Sequence, residues 1–101
     1  MKITTLIKKQ LIHFASYLTS SDASKSVFYH DIHDRKIYTD MSTSIDIFKL
    51  HIKIIKDAGF IIVPKITEDK RQVHISFDDG YLGLYENIDV ISELNVPVEV
   101  F

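Results

Sequence analysis

Apolar residues recur at helical spacing through the first twenty residues of the chain. They follow one another at intervals of four and three, as Ile3, Ile7, Leu11, Phe14 and Leu18. Such spacing places side chains on one face of a helix, so we predict an amphipathic helix that packs on the body of the protein. Lys8 and Lys9 interrupt the apolar run, which is too short and too broken for a membrane span. A peripheral contact with a membrane surface is the alternative.

From residue 25 onward, short apolar runs alternate with helical periods. The runs predict strands at 27–29, 60–63, 73–77 and 96–101. One helix is predicted after the capping candidates at 41–44, with Phe48, Ile52, Ile55 and Ala58 on its apolar face and Gly59 just past its end. A second helix is predicted at 85–94, whereas the charged segments 31–40 and 68–71 are predicted to be a loop and a turn.

This order of elements predicts an α/β fold. The run Phe60-Ile61-Ile62-Val63 is apolar at every position, which is typical of a parallel sheet covered on both faces. We divide the chain into an N-terminal helix and connector, residues 1–22, and a domain that occupies residues 23–101. The final predicted strand has no following helix to cover it, and we expect self-association through that exposed edge.

Composition narrows the possible partners and ligands. The formal net charge is −2 and the 12 basic residues are scattered along the chain, which disfavours nucleic acid as a partner. Because the chain has no cysteine, any metal must be held by carboxylate, imidazole or water. The absence of cysteine and of a clear signal peptide leads us to expect a cytoplasmic location.

Two adjacent carboxylates, Asp78 and Asp79, follow the third predicted strand. Neighbouring side chains on a strand point to opposite faces, so both can reach one pocket only if the strand ends there. Gly80 permits such a bend. Two like charges held together favour a bound metal or a shared proton, although Asp-Asp-Gly is also an ordinary turn. Receiver domains carry a similar acidic pair, but early in the chain and not near residue 78.

The segment Ser76-Phe77-Asp78-Asp79-Gly80-Tyr81 resembles the first motif of the NodB-type polysaccharide deacetylases, a Thr or Ser followed by Phe-Asp-Asp-Gly. Phe28-Tyr29-His30 is similar to the Tyr-His pair that opens many members. The helix at 48–60 resembles a family helix that ends in Gly and an aromatic residue. Residues 86–101 resemble the next helix and strand, with Pro97 and Phe101 matching a common Pro-Ala-Thr-Phe-Phe pattern. The resemblance extends from about Val27 to the last residue.

The resemblance implies the N-terminal part of a (β/α) barrel, truncated after its second core strand. It also implies a metal-dependent hydrolase that removes N-acetyl groups from an amino-sugar polymer or oligosaccharide. By position, Asp78 becomes the general base, Asp79 a ligand of a divalent metal, usually zinc, and His30 the general acid. In such a mechanism the metal polarises the acetamide carbonyl and activates a water, Asp78 takes the proton of the water, and the acid protonates the leaving amine.

The family also uses two histidines from a His-x-x-x-His-like motif downstream of the second strand, and the sequence does not contain it. We predict that His33, His13 and His51 are ordinary loop or helix residues, and that His74 is a packing residue on the same strand face as Ser76. We therefore expect this 101-residue chain to lack activity on acetylated chitooligosaccharides. The alternative function is that of an inactive, truncated homologue acting as a binding or assembly module.

Overall fold

The alternation of strands and helices predicted from the sequence is also the architecture of the protein in a computed structural model, which describes residues 5–78 and 82–101. The elements of these residues, in chain order, are α1 Thr5–Thr19, β1 Lys25–Tyr29, β2 Asp31–His33, β3 Ser42–Ser44, α2 Ile45–Asp57, β4 Ile61–Ile62, β5 Gln72–Phe77, α3 Leu82–Glu86, α4 Ile88–Glu93 and β6 Glu99–Val100.

The main sheet is built around β5, and every strand that pairs with β5 is parallel to it. β1 lies along its full length, from Lys25 opposite Val73 to Tyr29 opposite Phe77. β4 pairs with the start of β5 and β6 with its end. A separate parallel pair joins β2 to β3. The prediction of an α/β fold with a parallel sheet is confirmed.

One face of the main sheet forms the hydrophobic core. Val73, Ile75 and Phe77 alternate along β5 and are completely buried. They belong to one apolar cluster with the buried face of α2, which consists of Ile45, Phe48, Ile52 and Ile55. Because side chains alternate along a strand, the intervening residues of β5 lie on the opposite face of the sheet.

Helix α2 begins and ends where its sequence predicts. The Ser44 hydroxyl accepts a hydrogen bond from the backbone N–H of Ile47, so Ser44 is the N-cap. Asp46 lies in the first turn and Lys56 in the last, as the helix dipole favours. Gly59 follows the helix with φ +86°, a left-handed conformation that glycine adopts without a steric penalty.

Helix α1 packs against α2 through its predicted apolar face. Leu18 is buried, and the Phe14 ring stacks on the imidazole of His51 with 4.0 Å between the ring centroids. The connector that follows is fixed by Lys25, whose ammonium donates to the carbonyl oxygens of Ser21 and Ala23 at 2.9 and 2.7 Å. Within residues 5–78 and 82–101, no helix is long and apolar enough to cross a membrane.

Three predicted elements differ in the structure. The predicted loop at 31–40 begins with a strand, β2, whose first two residues are buried. The predicted helix at 85–94 is two short helices that meet at Asn87, whose side-chain amide donates to the Gly83 carbonyl oxygen at 2.8 Å. Asparagine often makes such local bonds in competition with the helix backbone. The predicted covering of both faces does not hold at β4, where Ile61 is 66% exposed.

Candidate active site

The carboxyl ends of β1 and β5 bring two of the predicted site residues to the same edge of the sheet. Tyr29 and Phe77 are register partners, so the next residue of each strand is His30 and Asp78 respectively. The backbone N–H of Asp78 donates to the Tyr29 carbonyl oxygen at 2.8 Å, which extends the pairing by one step. Ligand and active sites of parallel α/β sheets lie at this edge. His30 and Asp78 are therefore neighbours at the position where such a fold would use them.

One ring nitrogen of the His30 imidazole is buried and polar. This atom, Nδ1, has no hydrogen-bond partner among the described residues. Buried polar atoms of native proteins are nearly always hydrogen-bonded, so an unpartnered one needs an explanation. A ring nitrogen that has no partner in the described part of the chain, at the carboxyl edge of the sheet, is suited to hold or transfer a proton for a bound molecule.

Polar residues of β5 lie on the face of the sheet opposite the hydrophobic core. His74 and Ser76 alternate with the buried apolar residues of β5 and share that face, and Asp78 follows the end of the strand. The Ser76 hydroxyl is buried and makes no hydrogen bond within residues 5–78 and 82–101. His74 Nε2 lies 3.3 Å from Glu99 Oε1 on β6, which ties the two strands together. The predicted sharing of one strand face by His74 and Ser76 is confirmed.

Asp31 is a buried residue that the sequence analysis assigned to a loop. Its side chain is completely buried, and its Oδ1 accepts a hydrogen bond from the backbone N–H of Leu84 at 2.6 Å. Its Oδ2 has no partner in the described part of the chain. A signal in the sequence was the apolar Ile32 after Asp31, which continues the strand pattern of 27–29 beyond His30. Burial of this carboxylate requires a residue 53 positions away, and no local pattern reveals that.

The loop between β2 and β3 contacts the same region. The Tyr38 hydroxyl donates to a carboxylate oxygen of Glu86 at the end of α3. This hydrogen bond to a carboxylate raises the pKa of Tyr38, because loss of the phenolic proton would place two negative charges together. The contact joins the loop to the helix that follows residues 79–81.

The predicted metal ligand Asp79 and the predicted bend at Gly80 lie outside the described residues. Among residues 5–78 and 82–101, no three or more histidine or acidic side chains are grouped so that they could hold a metal ion. The described side chains therefore do not by themselves make up a zinc site.

Three other histidines, His13, His33 and His51, lie on helices or strands other than β1 and β5. His33 Nδ1 is 2.7 Å from the Ser42 hydroxyl and joins β2 to β3. His13 is exposed on α1. His51 is packed between α1 and α2, where burial lowers its pKa from 6.5 to about 4, and its Nδ1 is 2.6 Å from the Tyr29 hydroxyl. Burial raises the pKa of Tyr29, so the phenol stays protonated beside the neutral imidazole.

Comparison with known proteins shows that this chain is similar in structure to part of one solved protein. No family model matches the sequence, and no curated protein matches it. A solved structure of a de-N-acetylase from Aggregatibacter actinomycetemcomitans aligns with 78% of this chain, with a TM-score of 0.60 and 25% sequence identity. The chain spans 37% of the length of that structure. The protein thus has a mixed α/β fold, with a parallel sheet, that is similar to part of a de-N-acetylase.

Proposed function

We propose that this chain carries part of the active site of a deacetylase that hydrolyses N-acetyl groups on an amino-sugar polymer. The observation that carries the proposal is that His30 and Asp78 each follow one of two paired parallel strands at their carboxyl ends. The similarity to a de-N-acetylase supports the same reaction class. We further propose that the parallel sheet belongs to a (β/α) barrel of the NodB kind.

Amide hydrolysis needs one group that accepts a proton and one that donates a proton. The carboxylate of Asp78 can take the first role and the imidazole of His30 the second. Asp78 accepts a proton from water as the water oxygen bonds to the acetamide carbon. His30 donates a proton to the amide nitrogen as the carbon–nitrogen bond breaks. The products are acetate and a free amino group on the sugar.

A divalent metal, with zinc as the expected ion and Asp79 as its predicted ligand, would polarise the acetamide carbonyl when bound. Within residues 5–78 and 82–101 no group of three or more histidine or acidic side chains could hold the ion alone, so zinc dependence is part of the proposal. The proposed partner is an N-acetylated polysaccharide or oligosaccharide.

Acetate release from N-acetylated chitooligosaccharides tests the proposal, with zinc present and with the protein at the length that its gene encodes. We expect His30→Gln and Asp78→Asn each to lower kcat by about 10²- to 10⁴-fold, the usual contribution of one general acid or base. His13→Gln and Asp69→Asn alter the same residue types at exposed positions and serve as matched controls.

Activity that survives Asp78→Asn at the wild-type rate would contradict the assignment of the base. A wild-type protein that binds the oligosaccharides by calorimetry but releases no acetate would contradict the enzyme and favour a binding module. Loss of activity in a control variant as large as that in Asp78→Asn would show that the effect is not specific to the site.

A further inference from the structure

The buried carboxylate of Asp31 is costly for the fold and is not explained by packing. Removing a carboxylate from water costs several kcal/mol of folding free energy unless its oxygens are hydrogen-bonded or paired with a charge. Only one oxygen of Asp31 has a partner among the described residues, the backbone N–H of Leu84. An apolar residue of similar size would avoid this cost. The arrangement therefore points to a purpose other than stability.

Gly83 allows helix α3 to lie directly on Asp31. A Cβ atom at position 83 would be 2.3 Å from the Ile32 carbonyl oxygen and 2.5 Å from Asp31 Oδ2. Non-bonded atoms do not approach so closely, so no larger residue fits without a backbone shift. The contact between α3 and the start of β2 therefore requires glycine at position 83.

Two hydrogen bonds join Asp78, which follows β5, and Leu84 of α3 to one short stretch of chain. On the near side of residues 79–81, the Asp78 N–H donates to the Tyr29 carbonyl oxygen. On the far side, the Leu84 N–H donates to Asp31. His30 is the residue between these two acceptors. The general acid of the proposed reaction is therefore flanked by both anchors of the segment that follows the general base.

We propose that Asp31 is a positioning residue that holds the His30 end of β1 and the start of α3 in the geometry that the deacetylation step requires. The inference rests on the proposed function. Asp31 does not touch the reacting atoms. It acts through the backbone next to His30 and through the helix that follows Asp78.

Three variants assayed for acetate release, in the protein at its natural length, test this role. Asp31→Ala removes the acceptor, and we expect kcat to fall by about 10- to 100-fold with KM changed less than about threefold, as for a misplacement of about 1 Å. Asp31→Asn keeps an acceptor oxygen for Leu84 and should restore kcat to within about threefold of wild type. Gly83→Ala keeps the carboxylate but displaces the helix, and it should lower kcat as Asp31→Ala does.

Hydrogen exchange at the Leu84 amide provides a readout that does not depend on activity. The amide should be protected in the wild type and in Asp31→Asn, and it should exchange faster in Asp31→Ala while the amides of β5 stay protected. A folded Asp31→Ala protein with wild-type kcat would overturn the inference and leave the proposed function standing. Equal losses in Asp31→Asn and Asp31→Ala, or a change in KM alone, would overturn it too. An inactive wild type would contradict the proposed function itself.

Discussion

The contact of His51 with Tyr29 and Phe14 predicts that acid will destabilise the fold in part through this one histidine. His51 is packed between α1 and α2, with its ring stacked on Phe14 and its Nδ1 2.6 Å from the Tyr29 hydroxyl. Burial favours the neutral imidazole and lowers the pKa of His51 from 6.5 to about 4. In the unfolded chain the same group titrates near its ordinary value.

The sign of the pH dependence follows from the lowered pKa. Above pH 6.5 the imidazole is neutral in both states, and the contribution to stability is fully present. Between pH 6.5 and 4 the unfolded chain takes up the proton first, so the free energy of unfolding falls as the pH falls. Below pH 4 both states are protonated and the effect levels off. The full shift corresponds to about 3 kcal/mol, and because His51 is only partly buried we expect about 2 kcal/mol.

Urea unfolding at several pH values between 7.5 and 4 measures this contribution. His51→Gln has no titrating ring, so its stability should fall with acid by about 2 kcal/mol less than that of the wild type over this range. Carboxylates also titrate here, but they contribute equally to both proteins and cancel in the comparison. His13→Gln removes an exposed histidine from α1 and should follow the wild-type curve. Parallel curves for His51→Gln and the wild type would refute the argument.

Two further predictions concern the core and the end of α2. Phe48 is completely buried and contacts the rings of Tyr29 and Phe77, with centroids 5.0 and 5.7 Å away, so Phe48→Ala should lower the free energy of unfolding by about 3–5 kcal/mol in urea titrations. Leu6→Ala on the exposed side of α1 should change it by less than about 0.5 kcal/mol, and equal effects would contradict this account of the core. Gly59→Ala should cost about 1–2 kcal/mol by thermal unfolding because φ is +86° there, and an unchanged Tm would contradict that reason.

The sequence predicts the main elements because their signals are local. Helix α2 has a complete apolar face, a serine N-cap and a glycine after its end, and each of these acts within a few residues. The meeting of His30 and Asp78 is also predictable, since both follow apolar runs that become paired parallel strands. A parallel sheet brings the carboxyl ends of its strands to one edge, whatever the connecting chain does.

The remaining features depend on contacts between distant parts of the chain. Asp31 appears in the sequence as one of several loop aspartates, whereas in the fold the Leu84 amide binds its buried carboxylate and Gly83 makes room for it. The break at Asn87 depends on a side-chain bond to Gly83 that competes with a continuous helix. The spacing of apolar residues identifies the buried face of a helix but not such polar contacts. It therefore predicts one helix at 85–94, where the structure has α3 and α4.

The most direct test of the proposed function is the mass balance of the reaction in water labelled with ¹⁸O. If the protein hydrolyses N-acetyl groups, each acetate released from an N-acetylated oligosaccharide carries one oxygen from the solvent and leaves one new free amine on the sugar. The Asp78→Asn protein should form neither product above the uncatalysed background. Absence of acetate with the wild-type protein at its natural length, or release of acetate without a matching amine, would contradict the proposed function.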